Sequence, residues 1–382
     1  MKILVHHHCM FFKEGDNYYL PSFIGSWISE LSEQFELVGF ISIQSEKKLE
    51  KFDYQIVNNS KILFFSIERE KSVFFKINKF QINDFKIIQN LNFNLLIIRG
   101  ITPLQYFIHK KFNYLNQNFL LVGSVIDSRP KIKFTKIGLL LYFLFWKRIL
   151  ELKLISQNAT IFANSPKIVE ELLLELSIKS SFIPTNSLRL KDFSKKKSNN
   201  FEEPLKLLFC GRVTAEKGIE ELLFALELLL IDDIKIELII VGFTEKEYLI
   251  HLKKLIKQLN IEGIVFFRGF IPFGESLFAI YKEVDIFILP SWHEGFPHSI
   301  WEAASNYLPI ITTKVGGIPG LLDSTLVNFI EVKNPNSIKN AIQECINNPA
   351  EKLKKADMMY DYSKEYTLEK CVKILLKKIN EK

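Results

Sequence analysis

The chain has only four cysteines in 382 residues, Cys9, Cys210, Cys345 and Cys371, and no two of them form a CxxC pair. That excludes a disulfide framework and a cysteine zinc site, and it fits buried or free thiols in a reducing compartment. Long apolar runs are missing too. The most apolar stretch, Ile137–Trp146 (IGLLLYFLFW), has ten residues, about half of what a helix needs to cross a bilayer. The first ten residues, MKILVHHHCM, place three histidines where the apolar core of a secretory leader would lie, so no leader is expected. Zinc-finger spacing, a basic-region helix and an aromatic RNA-binding signature are all absent from the sequence. The net charge of +7 is mild for this length, so nucleic acid is not an expected partner, whereas an anionic small molecule or membrane surface is compatible. The expected location is cytoplasmic.

What is present points to an ordinary globular enzyme, with 48% hydrophobic and 24% charged residues. A chain of this length exceeds one core, so two domains are expected. In the second half, short apolar runs alternate with helical patterns: Leu205–Cys210, Lys235–Val241, Ile264–Arg268, Asp285–Leu289, Ile310–Thr313 and Asn328–Val332 read as strands. Between them, Gly218–Leu230, Tyr248–Leu259 and Ser299–Tyr307 read as helices. Such alternation implies a parallel sheet covered on both faces. The first half repeats the theme, with strands at Lys2–Val5, Leu37–Ile43, Leu95–Arg99, Phe119–Ile126 and Thr160–Ala163 and a helix at Pro21–Gln34. Ser165 and Pro166 mark another helix start. Phe52–Phe93 shows no assignable pattern. The polar stretch Lys191–Pro204 reads as a linker, giving domains at 1–200 and 201–360 with a terminal segment at 361–382. Ile137–Trp146 reads first as a buried core helix. Its flanking Lys136, Lys147 and Arg148 leave a helix lying on a membrane surface as the alternative.

In open parallel sheets, ligands bind at the carboxyl ends of strands. Leu205–Cys210 is followed by Gly211–Gly218 (GRVTAEKG). Glycines there allow close backbone approach, a helix N-terminus offers open N–H groups, and Arg212 and Lys217 add charge suited to a diphosphate. The spacing is not that of a Walker loop, and a solvated loop with a plain cap stays open. Asp285–Leu289 is followed by PSWHEGFPHSIWE, residues 290–302, which carries Glu294 and Glu302. Glu294 reads either as an exposed loop acid or as a group accepting sugar hydroxyls. Glu302 reads either as the acid of a capping box begun by Ser299 or as an acceptor for a ribose hydroxyl. His293 and His298 show no metal-ligand spacing. The next strand is followed by Val315–Pro319 (VGGIP), a turn or a second close approach.

These residues resemble the large retaining glycosyltransferase family of the sucrose-synthase and mannosyltransferase type, family four. The matches are Phe209–Gly218, Val284–Ala304 and Pro309–Pro319, with support from Leu238–Gly242 and Val265–Gly269. The resemblance implies the GT-B fold: α/β, two Rossmann-like domains facing a central cleft, with the helix Thr367–Ile379 crossing back to the first domain. It implies that Arg212 and Lys217 hold the donor diphosphate and act in catalysis. Glu294 lies at the donor sugar and takes a catalytic part, Gly295, Phe296 and Pro297 line it, and amides near His298 and Ser299 reach phosphate. Glu302 binds the ribose, and Arg268, Gly269 and Phe270 lie at the nucleobase.

The chain departs from the family at three places. A first-domain histidine common in the family is replaced by Asp127 in Asp127-Ser128-Arg129-Pro130. The glycine-rich loop after the first strand is reduced to Glu14-Gly15-Asp16, and an acid common after the GGIP stretch is Gly320. The implied reaction is sugar transfer from a nucleoside-diphosphate sugar to a hydroxyl of a saccharide or lipid-linked saccharide, with retention. It needs no cofactor and no metal, and it serves polysaccharide or glycolipid synthesis at the inner face of a membrane. An epimerase of the same fold and a non-catalytic sugar-binding relative are the alternatives.

Overall fold

The computed structural model describes residues 1–48, 53–71, 78–100, 102–121, 136–195 and 203–381. Contacts divide it into two compact units, one comprising Met1–Ser187 and Leu368–Lys382, the other Leu188–Thr367.

The second unit is built on a six-stranded sheet whose described pairs are all parallel. Its order in space is Val265–Gly269, Ile236–Val241, Leu205–Cys210, Ile286–Leu289, Ile310–Thr313, Asn328–Ile330. Numbered along the chain this is 3-2-1-4-5-6, the doubly wound order. The central strands are apolar on both faces because helices cover both. Leu207, Leu208 and Phe209 of the first strand and Ile286, Phe287 and Ile288 of the fourth are fully buried, each worth roughly 1.5–3 kcal/mol of burial. The helices follow the expected periods. Ile219–Ile231 buries Leu222, Leu223, Leu226 and Leu229, and Lys246–Gln258 buries Leu252 and Ile256.

The first unit repeats the plan. Ser181–Phe182, Thr160–Ala163, Asn116–Leu121, Leu95–Arg99, Lys2–His7, Leu37–Ser45 and Ile62–Lys71 lie side by side and parallel. The region 52–93, unassigned from sequence, supplies Tyr54–Ile56, Ile62–Lys71, Asn78–Ile82 and a short helix, Phe85–Asn90. Glu14-Gly15-Asp16 is not a ligand loop here. It is the turn between the antiparallel strands Phe11–Glu14 and Asn17–Pro21, with Gly15 at φ +58°. Ser165 does cap its helix, its hydroxyl accepting from the Lys167 N–H. The helix Leu368–Asn380 buries Leu368, Cys371, Val372, Leu375 and Ile379. That stripe joins the core formed by Ile3, Ile24, Ile28 and Leu31 of the first unit.

Ile137–Trp146 belongs to a 21-residue helix, Lys136–Ser156, and the buried-core reading of it is only half right. Phe145, Ile149, Leu152 and Ile155 are buried, at three- and four-residue spacing. The opposite face is equally apolar but open, with Phe143 65%, Leu150 58% and Leu140 55% exposed. Residues 122–130 lie outside the described residues, and with them Asp127 and the end of the predicted strand Phe119–Ile126.

Candidate functional site

The strand order of the second unit places Leu205–Cys210 beside Ile286–Leu289, with the sheet growing outward on either side. This is the switch point of a doubly wound sheet, where the connections diverge and leave a crevice. The loops that leave these two strands are tied together. The Trp292 N–H donates to the Glu216 carbonyl at 2.8 Å. Gly218, at φ +70°, is packed so closely on the Pro290 carbonyl that a Cβ would collide with it, which only glycine tolerates. The loop after Ile310–Thr313 joins them, for the Gly317 N–H donates to the Gly295 carbonyl at 2.6 Å. Gly316, at φ +58°, lies against the Glu294 carbonyl with no room for a Cβ. The two readings of the glycine pair as turn or close approach thus merge. Gly316 is a turn residue because a neighbouring backbone approaches it.

At the centre of these loops Lys217, 7% exposed, places its Nζ 2.7 Å from Glu294 Oε1 and 3.4 Å from the His293 carbonyl. The Ser291 hydroxyl donates to the same Glu294 oxygen at 2.7 Å. Glu294 is therefore not an exposed loop acid: its side chain is 10% exposed and neutralised by a buried cation. Two charges taken out of water persist when they are paired and hydrogen-bonded. Arg212 stands apart. It is 71% exposed and meets Glu216 at 3.7 Å.

The helix His298–Ser305 begins behind Pro297 with no side-chain cap. The capping-box reading of Ser299 and Glu302 does not hold, because the N-cap is Pro297, two residues before Ser299, and the Glu302 carboxylate accepts from the Tyr281 hydroxyl at 2.8 Å. Burial raises the Glu302 carboxyl to about 7, against the Tyr281 hydrogen bond, which lowers it. The first amides of the helix, at His298 and Ser299, keep the partial positive charge of a helix start. Phe296 packs on the buried Trp301 ring, centroids 4.8 Å apart. Arg268, Gly269 and Phe270 end the outermost strand, and Phe270 is 42% exposed. The structure thus gathers Lys217, Glu294 and the glycine pair, and sets Glu302 behind them on the same segment. Sequence reading passes over Tyr281 and Ser291. Ser291 stands three residues before Glu294, but Tyr281 is an unremarked helix position whose role appears only through its contact.

Residues 191–366 match the family model described as glycosyl transferases group 1. The matched residues span nearly all of the second unit, Leu188–Thr367. Among curated relatives, an uncharacterized glycosyltransferase of Methanocaldococcus jannaschii is 36% identical over 135 residues, 35% of this chain and 33% of the relative. The amylovoran biosynthesis glycosyltransferase AmsK of Erwinia amylovora is 29% identical over 144 residues, 36% of this chain and 35% of the relative. The matched stretch thus spans about a third of the length of these relatives. The fold likeness covers the chain. Sucrose-phosphate synthase from Thermosynechococcus elongatus aligns with a TM-score of 0.72 at 16% identity, over 100% of this chain and 98% of that one. Anabaena HepE, solved with UDP and glucose, aligns with a TM-score of 0.70 at 15% identity, over 100% of both chains. Each of the two units therefore has the α/β architecture seen in the GT-B glycosyltransferases. No helix among the described residues is long and apolar enough to cross a membrane.

Proposed function

We propose that the chain is a glycosyltransferase that moves a sugar from a nucleoside-diphosphate sugar to an acceptor hydroxyl, with retention of configuration. The product would be a cell-surface polysaccharide or glycolipid. The observation that carries this reading is the buried Lys217–Glu294 pair at the switch point of a group 1 domain. The relatives named for amylovoran and O-antigen biosynthesis support the product class, and HepE bound to UDP-glucose supports the donor. On this reading, charge grows on the leaving diphosphate as the sugar bond breaks. Lys217 and the amides of His298 and Ser299 stabilise it there, where such stabilisation lowers the barrier. Arg212 swings in from the surface to the same phosphates. Glu294, already held by Ser291 and Lys217, accepts from the donor sugar, and Glu302 accepts from the ribose. Gly295, Phe296 and Pro297 shape the sugar pocket, and Arg268, Gly269 and Phe270 hold the base. No metal is required, since fixed cations take its place, and Asp127 is the first-unit group assigned to the reaction centre.

A screen of nucleotide sugars by thermal shift, followed by release of nucleoside diphosphate with and without added acceptor, tests this. A ligand bound only to the folded state raises its melting temperature. Lys217→Met is expected to lower turnover about 10²–10³-fold, and full turnover in that variant would sink the assignment.

The same reading places the chain on the membrane where a lipid-linked acceptor lies. Its support is the open apolar face of Lys136–Ser156, flanked by Lys147 and Lys153. An apolar face this wide is not left to water without a partner, and basic residues beside it suit anionic lipid. A groove of about 490 Å³ beside the helix, lined by Leu141, Leu144, Phe145 and Arg148, fits an acyl or isoprenoid chain. Flotation with vesicles containing phosphatidylglycerol reads this directly. Phe143→Glu with Leu150→Glu is expected to abolish it while leaving the melting temperature within a degree or two, and flotation unchanged by the two charges would remove the membrane assignment.

A further inference from the structure

We infer that the first unit holds a binding site for an anionic group, a phosphate or a carboxylate, formed by Arg99 and His7 at the carboxyl edge of its sheet. The first unit has its own switch point. Lys2–His7 lies between Leu37–Ser45, which follows it in the chain, and Leu95–Arg99, from which the sheet grows the other way through Asn116–Leu121. A crevice therefore opens between Lys2–His7 and Leu95–Arg99. His7 and Arg99 are the last residues of these two strands and are direct register partners.

Both side chains present buried donors that nothing among the described residues accepts. The Cys9 N–H donates to His7 Nδ1 at 2.9 Å, which leaves the ring proton on Nε2. That Nε2–H is buried without a partner, and so is the Arg99 Nε–H. Burial holds the His7 pKa well below 6.5, with Arg99 adding to the effect. His7 is thus a neutral donor at physiological pH. Burial lowers Arg99 only to about 10, so it keeps its charge, and no described carboxylate pairs with it. The ring of Phe23 backs the site, 5.9 Å from the guanidinium and 6.2 Å from the His7 ring. Buried donors beside a half-buried cation are costly unless something accepts their hydrogen bonds and balances the charge. An oxyanion does both. Neighbouring His6 shows the contrast: it bonds the Ile41 carbonyl at 2.7 Å and Gln105 at 3.2 Å, so its ring is fully used.

A metal ion is the competing occupant, since His7, His8 and Cys9 bring ligand atoms within 4.8 Å of one another. A cation there would face the Arg99 charge on the adjoining strand end, whereas an anion is drawn to it. On the proposed transferase reading, the anion comes from one of two sources: a charged group on the acceptor, or the phosphate of a nucleotide.

Calorimetric titration of the full chain with inorganic phosphate in the presence of EDTA tests the site. The Lys217→Met background weakens phosphate binding at the second unit, and changes at Arg99 and His7 then read out the first-unit site whether or not transfer occurs. In that background phosphate is expected to bind. Arg99→Met should weaken it at least tenfold, and Arg99→Lys, which keeps the charge and guards against a folding artefact, should weaken it less. His7→Phe should also weaken it, whereas His7→Gln, whose amide N–H takes the place of Nε2–H, should retain most of it. UDP added first in the same background separates the sources: phosphate binding unaffected by it assigns the site to the acceptor, and competition assigns it to a nucleotide phosphate. Equal affinity in the parent and in a folded Arg99→Met chain overturns the inference, as does binding that EDTA removes.

Discussion

At the switch point of the second unit a buried ammonium, Lys217, meets the Glu294 carboxylate at 2.7 Å. At the switch point of the first, the Arg99 guanidinium has no carboxylate among the described residues, and the His7 ring beside it keeps a buried N–H without an acceptor. The same sheet order thus frames two opposite electrostatic states. The paired site is balanced by itself, so on the proposed function a diphosphate would enter an existing ion pair and share its cation. Among the described residues the other site is out of balance by one charge, so the proposed anion would supply what they lack. The buried Lys217 charge is tolerated because of its partner, and the half-buried Arg99 charge is held at a cost to stability.

That comparison predicts opposite signs. Removing Lys217 leaves Glu294 buried and uncompensated, so Lys217→Met is expected to destabilise the chain by about 3 kcal/mol or more. Lys217→Met with Glu294→Gln should recover most of that while turnover stays low, which separates folding from chemistry. Urea or thermal unfolding reads both, and a single variant as stable as the parent would break the contrast. Glu302 comes next. Its carboxyl lies at about 7, raised from 4.5, so the folded state holds this proton more tightly than the unfolded chain does. Its contribution is full below about 4.5 and is lost as pH rises through about 7. Glu302→Gln should therefore gain stability relative to the parent between pH 5 and pH 8, by roughly 2–3 kcal/mol at most since one pKa unit is about 1.4 kcal/mol. A difference that stays flat with pH would place the carboxyl in its ordinary range. The smallest effect is expected at Arg99. Arg99→Met exchanges an unpaired charge for an apolar side chain and should raise stability by about 1 kcal/mol. A loss there would mean that the guanidinium is paired after all.

Much of the second unit was legible because its strands are buried on both faces and so read as unbroken apolar runs between turn residues. Leu205–Cys210 and Ile310–Thr313 agree with their predicted limits, and the other four strands shift by one or two residues at an end. The first unit was harder. Asn78–Ile82 (NKFQI) and Tyr54–Ile56 (YQI) are edge strands with polar residues, and nothing in their local pattern distinguishes them from loop. The Phe11–Pro21 hairpin was missed because Glu14-Gly15-Asp16 is a turn signal of many uses. Within residues 290–302, Glu294 was visible as a loop acid or sugar-hydroxyl acceptor, but its pairing with Lys217 was not. The pairing of His7 with Arg99 joins residues 92 positions apart through strand register, and a single sequence carries no signal of register between distant strands.

The helix Leu368–Asn380 gives the first unit a history as well as a shape. It covers a core made from Ile3, Leu31 and Val38, yet the ribosome releases it only after the whole of the second unit. The second unit is therefore an insert within its neighbour, and it has all its own residues while that neighbour still waits for its last wall. During synthesis, the apolar stripe of strands and helix that Leu368–Asn380 will cover stays open for the time taken to add some 180 residues, at about 5–20 residues per second. A stop codon or a protease cut near Thr367 would thus damage the beginning of the protein more than its middle.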